Sequence, residues 1–283
     1  MHEPEHVYAP VIIAVTFFLL TMIFYFLTSF YPLWVKKNLA VLFLPLRLKH
    51  RYKEHLVANF PFYNKLSDAD QLLFERRVQK FINMKEFIPR GGLREVTPEM
   101  KTLIAGSAIQ LTFGHPSIYF RHFWRILVYP DSYYSTITQK YHHGEVNRAG
   151  IIVVSWQALR EGFHCHADGR HLGFHEMAHA LRLINLIDNK EYNIYDGRLM
   201  KDFDTEARRE VSRMNNDPNL QTPFRMYGAT SREEFFAVAV EVFFEQPGQF
   251  KNHNPVLYDT LRKMLKIDPG AANMSKGIRK LAS

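Results

Sequence analysis

Between Val7 and Val35 the chain carries no Asp, Glu, Lys or Arg, and no other feature narrows its architecture so sharply. The stretch from Val11 to Phe30 alone, at about 1.5 Å per residue in a helix, matches roughly the 30 Å of a bilayer's hydrocarbon core. A transmembrane helix over residues 7–35 is therefore expected. A cleaved leader would call for a basic start and a shorter apolar run, whereas here the start reads His2-Glu3-Pro4-Glu5-His6. Lys36, Lys37, Arg47, Lys49, Arg51 and Lys53 follow the run against the single acid Glu54, while Glu3 and Glu5 precede it. The positive-inside bias then predicts a single-pass protein of the cell (inner) membrane, with its N-terminus outside and the bulk of the chain in the cytoplasm. Membrane lipid is the partner expected at this end. The apolar segment from Leu39 to Leu48 either lies along the headgroups or packs on the folded domain.

The chain has 283 residues, 47% of them hydrophobic, enough for one or two domains with a real core. Its formal charge of +8 suits nucleic acid or an anionic membrane surface. Much of that excess sits beside the apolar run. Neither a zinc-finger spacing nor an aromatic ribonucleoprotein signature is present, so no nucleic-acid partner is expected. The single cysteine, Cys165, excludes an internal disulfide and fits a reducing compartment.

Beyond the basic stretch, Ser67 to Ile82 reads as a helix with Ser67 at its N-cap, and Thr97-Pro98 opens another that ends near Gly114. Three runs rich in β-branched and aromatic residues follow, Arg125 to Tyr129, Tyr134 to Lys140 and Gly150 to Trp156, as in a small sheet. Helical patterns return at residues 170–186, 202–214, 231–245 and 255–265. Helices, then sheet, then helices predict an α+β domain. The expected organisation is an N-terminal tail (1–6), the transmembrane helix (7–35), a basic juxtamembrane segment (36–64), a catalytic domain (65–268) and a basic C-terminal tail (269–283).

The chemistry-bearing motif is His175-Glu176-Met177-Ala178-His179. Histidines four apart stand one helical turn above each other and can place two imidazole nitrogens on one metal, with Glu176 beside it. With 14 histidines in the chain, chance alone yields such a pattern in about 4 sequences of this composition in 100. The strand-like run before it and the small, apolar residues Leu172, Ala178 and Leu181 suit a buried active-site helix of the zincin type.

Such a site needs a third protein ligand. The extended metzincin pattern fails, because Arg182 and Asn185 stand where Gly and His would be required. A glutamate on a later helix is the remaining option, and Glu233, Glu234 and Glu241 all offer a carboxylate. Glu234 and Glu241 share a face, seven residues apart, and Glu233 points elsewhere. Glu234 has a second reading, since Ser231-Arg232-Glu233-Glu234 is also a capping box that closes a helix start. Spacing leaves both open.

The segments Phe174 to Leu181 and Tyr227 to Val238, closing with Glu241-Val242-Phe243-Phe244, resemble the Mlc titration factor A family of zinc peptidases, which are of gluzincin type. Phe87 to Leu93, Val128-Tyr129-Pro130-Asp131 and Val153-Val154-Ser155-Trp156 recur in the family's order, so the resemblance covers roughly residues 65–265. It implies a zincin-like metallopeptidase domain with one Zn2+ per chain on His175, His179 and Glu234, Glu176 as base and Tyr227 as an active-site phenol. Arg182 departs from the family, which usually has an acid there, and residues 188–200 match poorly. Both departures bear on substrate preference more than on metal binding.

On this reading a zinc-activated water attacks a peptide carbonyl with Glu176 as general base, and Tyr227 donates to the developing oxyanion. Glu241 either orients a histidine or forms a plain salt bridge. Val153, Val154, Ser155 and Trp156, if they lie at a sheet edge, would pair with an extended substrate. His164, Cys165, His166 and His171 fit no standard metal spacing and read as solvated loop residues. The expected partners are a peptide or protein substrate and, in a rival reading, a regulatory protein such as a transcriptional repressor held by a zinc-containing binding module. A metal-dependent hydrolase of non-peptide amides or esters is the second rival.

Overall fold

The computed structural model describes residues 5–30, 47–135, 139–165, 168–187, 191, 194–217 and 219–271. It divides into two units, Met1–Pro45 and Leu46–Ser283. In chain order the elements are α1 (Glu5–Phe30), α2 (His50–Asn59), α3 (Pro61–Asn64), α4 (Asp68–Met84), β1 (Glu86–Pro89), α5 (Pro98–Leu111), β2 (Arg125–Tyr129), β3 (Tyr133–Ser135), β4 (Lys140–His142), β5 (Gly144–Asn147), β6 (Ile151–Ser155), α6 (Trp156–His164), α7 (Leu172–Leu186), α8 (Gly197–Asn216), a 3-10 turn (Met226–Thr230), α9 (Arg232–Glu245), α10 (Pro247–His253) and α11 (Pro255–Leu265).

Local chemistry starts several of these helices where the sequence places them. Ser67 Oγ accepts from the Asp70 N–H ahead of α4, and Thr97 Oγ1 from the Met100 N–H ahead of α5, whose first residue is Pro98. Ser231 Oγ accepts from the Glu234 N–H at 3.1 Å ahead of α9. Each cap satisfies an amide that the first helical turn leaves unpaired. α5 and α9 are apolar nearly all round and form the centre of the core. Phe235, Phe236, Val238, Val240, Val242 and Phe243 of α9 are fully buried, each contributing about 1.5–3 kcal/mol over exposure. α7 packs along α9 and also against α5.

The main sheet has the order β1-β2-β6-β5. β1, β2 and β6 are parallel, and β5 closes the sheet antiparallel to β6. β3 and β4 form a separate hairpin, so the run expected as one strand from Tyr134 to Lys140 is two strands, with residues 136–138 outside those described. The strand expected over Gly150 to Trp156 is β6, but it does not lie at an edge. Val153, Val154 and Ser155 pair with β2 on one side, and Val153 and Val154 pair with β5 on the other, while Trp156 already begins α6. Their backbone groups are therefore taken up within the sheet, whose edge strands are β1 and β5.

Two further expectations are corrected. Among the described residues no helix is long and apolar enough to cross a membrane. α1 is helical over Glu5–Phe30, and its described side chains are those of residues 12–23 and 25. Residues 31–46 lie outside those described, and most of the segment from Leu39 to Leu48 with them. The basic segment 36–64 does not stop short of the domain either. Tyr52, Leu56, Phe60, Phe62 and Tyr63 are buried in the core, and Tyr63 donates to Glu75 Oε1 of α4 at 2.7 Å.

Candidate metal centre

α7 begins at a histidine. His171 precedes its first turn, and its Nδ1 accepts from the Phe174 N–H at 3.3 Å. One turn on, His175 Nε2 and His179 Nε2 lie 3.1 Å apart. Glu234 Oε2, from the first turn of α9, is 3.1 Å from the first and 3.4 Å from the second. These three side chains are the group among the described residues whose ligand atoms gather closely enough for one metal ion.

The donor set fits zinc. A tetrahedral ion with Zn–N and Zn–O distances near 2.0–2.1 Å holds its ligand atoms about 3.3 Å from one another, the spacing found here. The two imidazole nitrogens face each other at 3.1 Å, and Glu234 Oε2 is buried with no hydrogen bond of good geometry. The three ligand atoms converge on one point, so these residues could hold one metal ion. Burial pulls the His175 imidazole down, but Glu234 and Glu241 outweigh it and hold it at about 10. Burial raises the Glu234 carboxyl, and the bonds with His175 and His179 overcome this and hold it well below the usual carboxylate range. The side chains of His179 and Glu234 keep 20% and 22% of their surface, as suits a catalytic site with an open position rather than a closed structural one.

Glu241 holds this arrangement from behind. Its side chain is 1% exposed. Its Oε1 accepts from His175 Nδ1 at 2.6 Å, which directs the Nε2 lone pair of that ring to the shared point. Its Oε2 accepts from the His171 N–H, also at 2.6 Å. Arg225 Nη2 donates to Oε1 as well, compensating the buried charge. Of the two readings open for Glu241, the structure supports orientation of a histidine. Glu233 is turned the other way, 57% exposed and 3.7 Å from Arg182. Arg182 also reaches Asp204 of α8 at 3.4 Å, and so ties α7 to α8 and α9.

Glu176 is buried, and desolvation raises its carboxyl against the pull of His175 and His179. It faces β5 across the cleft. A Cβ placed on Gly144 would stand 2.3 Å from Glu176 Oε1, so any other residue at 144 would displace that carboxylate. A cleft of about 670 Å3 runs along this contact, lined by His142, His143, Gly144, Glu176, Arg225 and Tyr227 among others. Tyr227, in the 3-10 turn, sets its ring 6.0 Å from that of His175. Burial and a hydrogen bond with Glu234 push its phenol up to about 12, so it remains a proton donor near neutrality.

Sequence reasoning missed Gly144, Arg225 and the role of His171. The last is not a solvated loop residue but a 2% exposed helix cap. His164 Nδ1 donates to Arg160 O at 2.7 Å, Cys165 is exposed, and His166 lies outside the described residues. A glycine within a strand can mark a close approach as well as a turn, the one available pointer to Gly144. Nothing local marks Arg225.

Comparison with known proteins agrees with this geometry. An uncharacterized protein of Synechocystis sp. is 30% identical over 258 residues, covering 84% of this chain and 91% of its own length. The proteins named Mlc titration factor A from Yersinia pestis (strain Pestoides F) and Yersinia pseudotuberculosis serotype O:3 are each 24% identical over 246 residues, covering 76% of this chain and 84% of theirs. Residues 34–266 match the profile of the glucose-regulated metallo-peptidase M90, which takes in both histidines of α7, Glu234 and Glu241. The chain therefore belongs to the M90 metallopeptidase family, and is of the Mlc titration factor A-like kind.

Proposed function

We propose that this protein is a zinc metallopeptidase with His175, His179 and Glu234 as its metal ligands. The observation that carries the reading is the convergence of these three ligand atoms at 3.1–3.4 Å, backed by Glu241. A zinc ion held there supplies Lewis acidity and lowers the pKa of a bound water to about 7. Glu176, beside that point, accepts the proton of the attacking water and passes it to the leaving amine. The Tyr227 phenol donates to the oxyanion that develops on the peptide carbonyl. The substrate lies along β5. Ser155 N–H donates to His143 O, and continuing that register leaves the N–H and C=O of Gly144 and Val146 turned to the open edge, where an extended peptide can add as a strand.

The test is Glu176→Gln. Peptide hydrolysis should fall by at least about 100-fold while bound zinc stays at one per chain. Undiminished cleavage of a peptide library by this variant would remove Glu176 as the base, and no cleavage by the zinc-loaded unaltered protein would remove the enzyme reading. The name of the Yersinia relatives, a titration factor, favours a second reading in which the domain holds a regulatory protein; that partner's binding would survive Glu176→Gln and need no turnover. Membrane attachment rests on the charge-free run 7–35 and the bases after it. Full-length protein should stay with membranes through an alkaline carbonate wash and lose that property when residues 1–35 are removed. Release of the full chain by carbonate would refute the anchor.

A further inference from the structure

Behind the N-terminal turn of α7, on the side away from β5, lies a second cavity of about 320 Å3. His171 lines both this cavity and the cleft. Its walls are aromatic. Phe60 and Phe163 meet edge to face at 5.0 Å, and Phe174 and Phe244 stack at 4.8 Å. Gln110 and Glu245 are among the polar side chains that line the cavity. The Gln110 amide, on a residue 6% exposed, makes no hydrogen bond to the described residues. Both carboxylate oxygens of Glu245 are buried without a hydrogen-bond partner. The amides of Gly169 and Arg170 lie near enough to stabilise its charge in part, but neither makes a bond of good geometry.

An unpaired carboxylate is a costly thing to bury, and the surroundings add to the cost. Burial, and after it the charges of Asp168 and Glu241, push its carboxyl up to about 8. It is also the last residue of α9, where the helix dipole presents its negative end. Lys65 lines the cavity without pairing to Glu245. Asp168, Glu241 and the end of α9 favour a positive charge beside Glu245, and the aromatic faces favour an organic one.

We infer that this cavity is a binding site for a small organic ammonium ion, its cationic head on Glu245, its apolar body between the Phe60–Phe163 and Phe174–Phe244 pairs, and a polar group within reach of Gln110. The site is separate from the proposed catalytic reading and stands or falls without it.

Phenethylamine is a suitable probe, titrated calorimetrically into full-length protein in detergent, beside its neutral isostere 2-phenylethanol and the anion 3-phenylpropionate. The amine should bind at least about tenfold more tightly than either, as a hydrogen-bonded charge implies. Glu245→Gln should abolish that preference without lowering the Tm, because the Glu245 carboxyl has no hydrogen-bond partner to lose. Phe244→Ala should weaken the amine while keeping the order of the three probes. Equal affinity for amine and alcohol would overturn the site, as would an amine affinity unchanged in Glu245→Gln. Loss of binding in Glu234→Gln but not in Glu245→Gln would place the amine in the catalytic cleft and overturn it equally.

Discussion

The two walls of the cleft are built on opposite terms. The helical wall, α7 with α9, is closed: Glu241 is 1% exposed and spends both oxygens on His175, His171 and Arg225. The strand wall, β5, is open, bonded to β6 on one side only. Groups that must hold a metal to within tenths of an ångström have to be fixed by packing and by hydrogen bonds from behind. A surface that must accept backbones of varied sequence needs free amides and carbonyls instead. The walls meet where Gly144 leaves room for Glu176.

The sharpest way to break this contrast is within the closed wall. Glu234→Ala should reduce bound zinc from one per chain to less than about a tenth, since a site left with two protein ligands no longer competes for the ion; metal analysis of the purified variant reads this directly. Glu241→Gln should keep the stoichiometry and weaken zinc affinity by about 10–100-fold, seen by competition with a chelator. The reverse order of effects would exchange the roles assigned to the two glutamates.

The junction comes next. Gly144→Ala should lower kcat by about 100-fold with zinc retained, because the new methyl displaces the Glu176 carboxylate from its working position. Normal turnover in this variant would show that the walls do not touch there in solution. On the open wall, Val146→Pro removes an outward N–H without costing a bond to β6. It should raise KM for a long peptide about tenfold and leave kcat nearly unchanged, whereas an unaltered KM would detach the substrate from this edge.

The smallest effect concerns the background against which both walls titrate. Burial holds the Lys85 ammonium down to about 7, with Glu191 opposing and Arg121 adding to it, while its Nζ donates to Phe120 O. A lysine freed by unfolding returns to its ordinary value near 10.5. The fold therefore favours neutral Lys85, so its contribution is present at high pH and is lost as pH falls from about 10.5 through about 7. Chemical denaturation across that window should show stability rising with pH, and Lys85→Met should flatten the slope. An identical slope in both proteins would assign it to other groups.

How far each wall could be read in advance follows from how local its determinants are. The two histidines of α7 and the Ser231 cap of α9 are separated from their partners by three or four residues, and helical geometry alone places them. The capping box at Ser231 is half realised: its hydroxyl receives the Glu234 amide, and the Glu234 carboxylate turns to the histidines instead. Spacing could not decide between those uses, nor between Glu234 and Glu241 as ligand. The strand wall was misread. Val153 to Ser155 carry the most apolar run of the sheet because β6 is interior and buried on both faces, and the less hydrophobic β5 gives little sign of itself in sequence.

The sequence by itself determined that α7 would carry two histidines one turn apart beside Glu176, and where the helices capped by Ser67, Thr97 and Ser231 would begin. Those properties depend on residues within a turn or two of one another. Only the tertiary structure decided that Glu241 stands behind His175, that Arg225 neutralises it, that Gly144 makes way for Glu176, and that β5 is an edge strand while β6 is interior. Each of these joins side chains or strands from separate elements, and no periodicity along the chain encodes how two such elements meet.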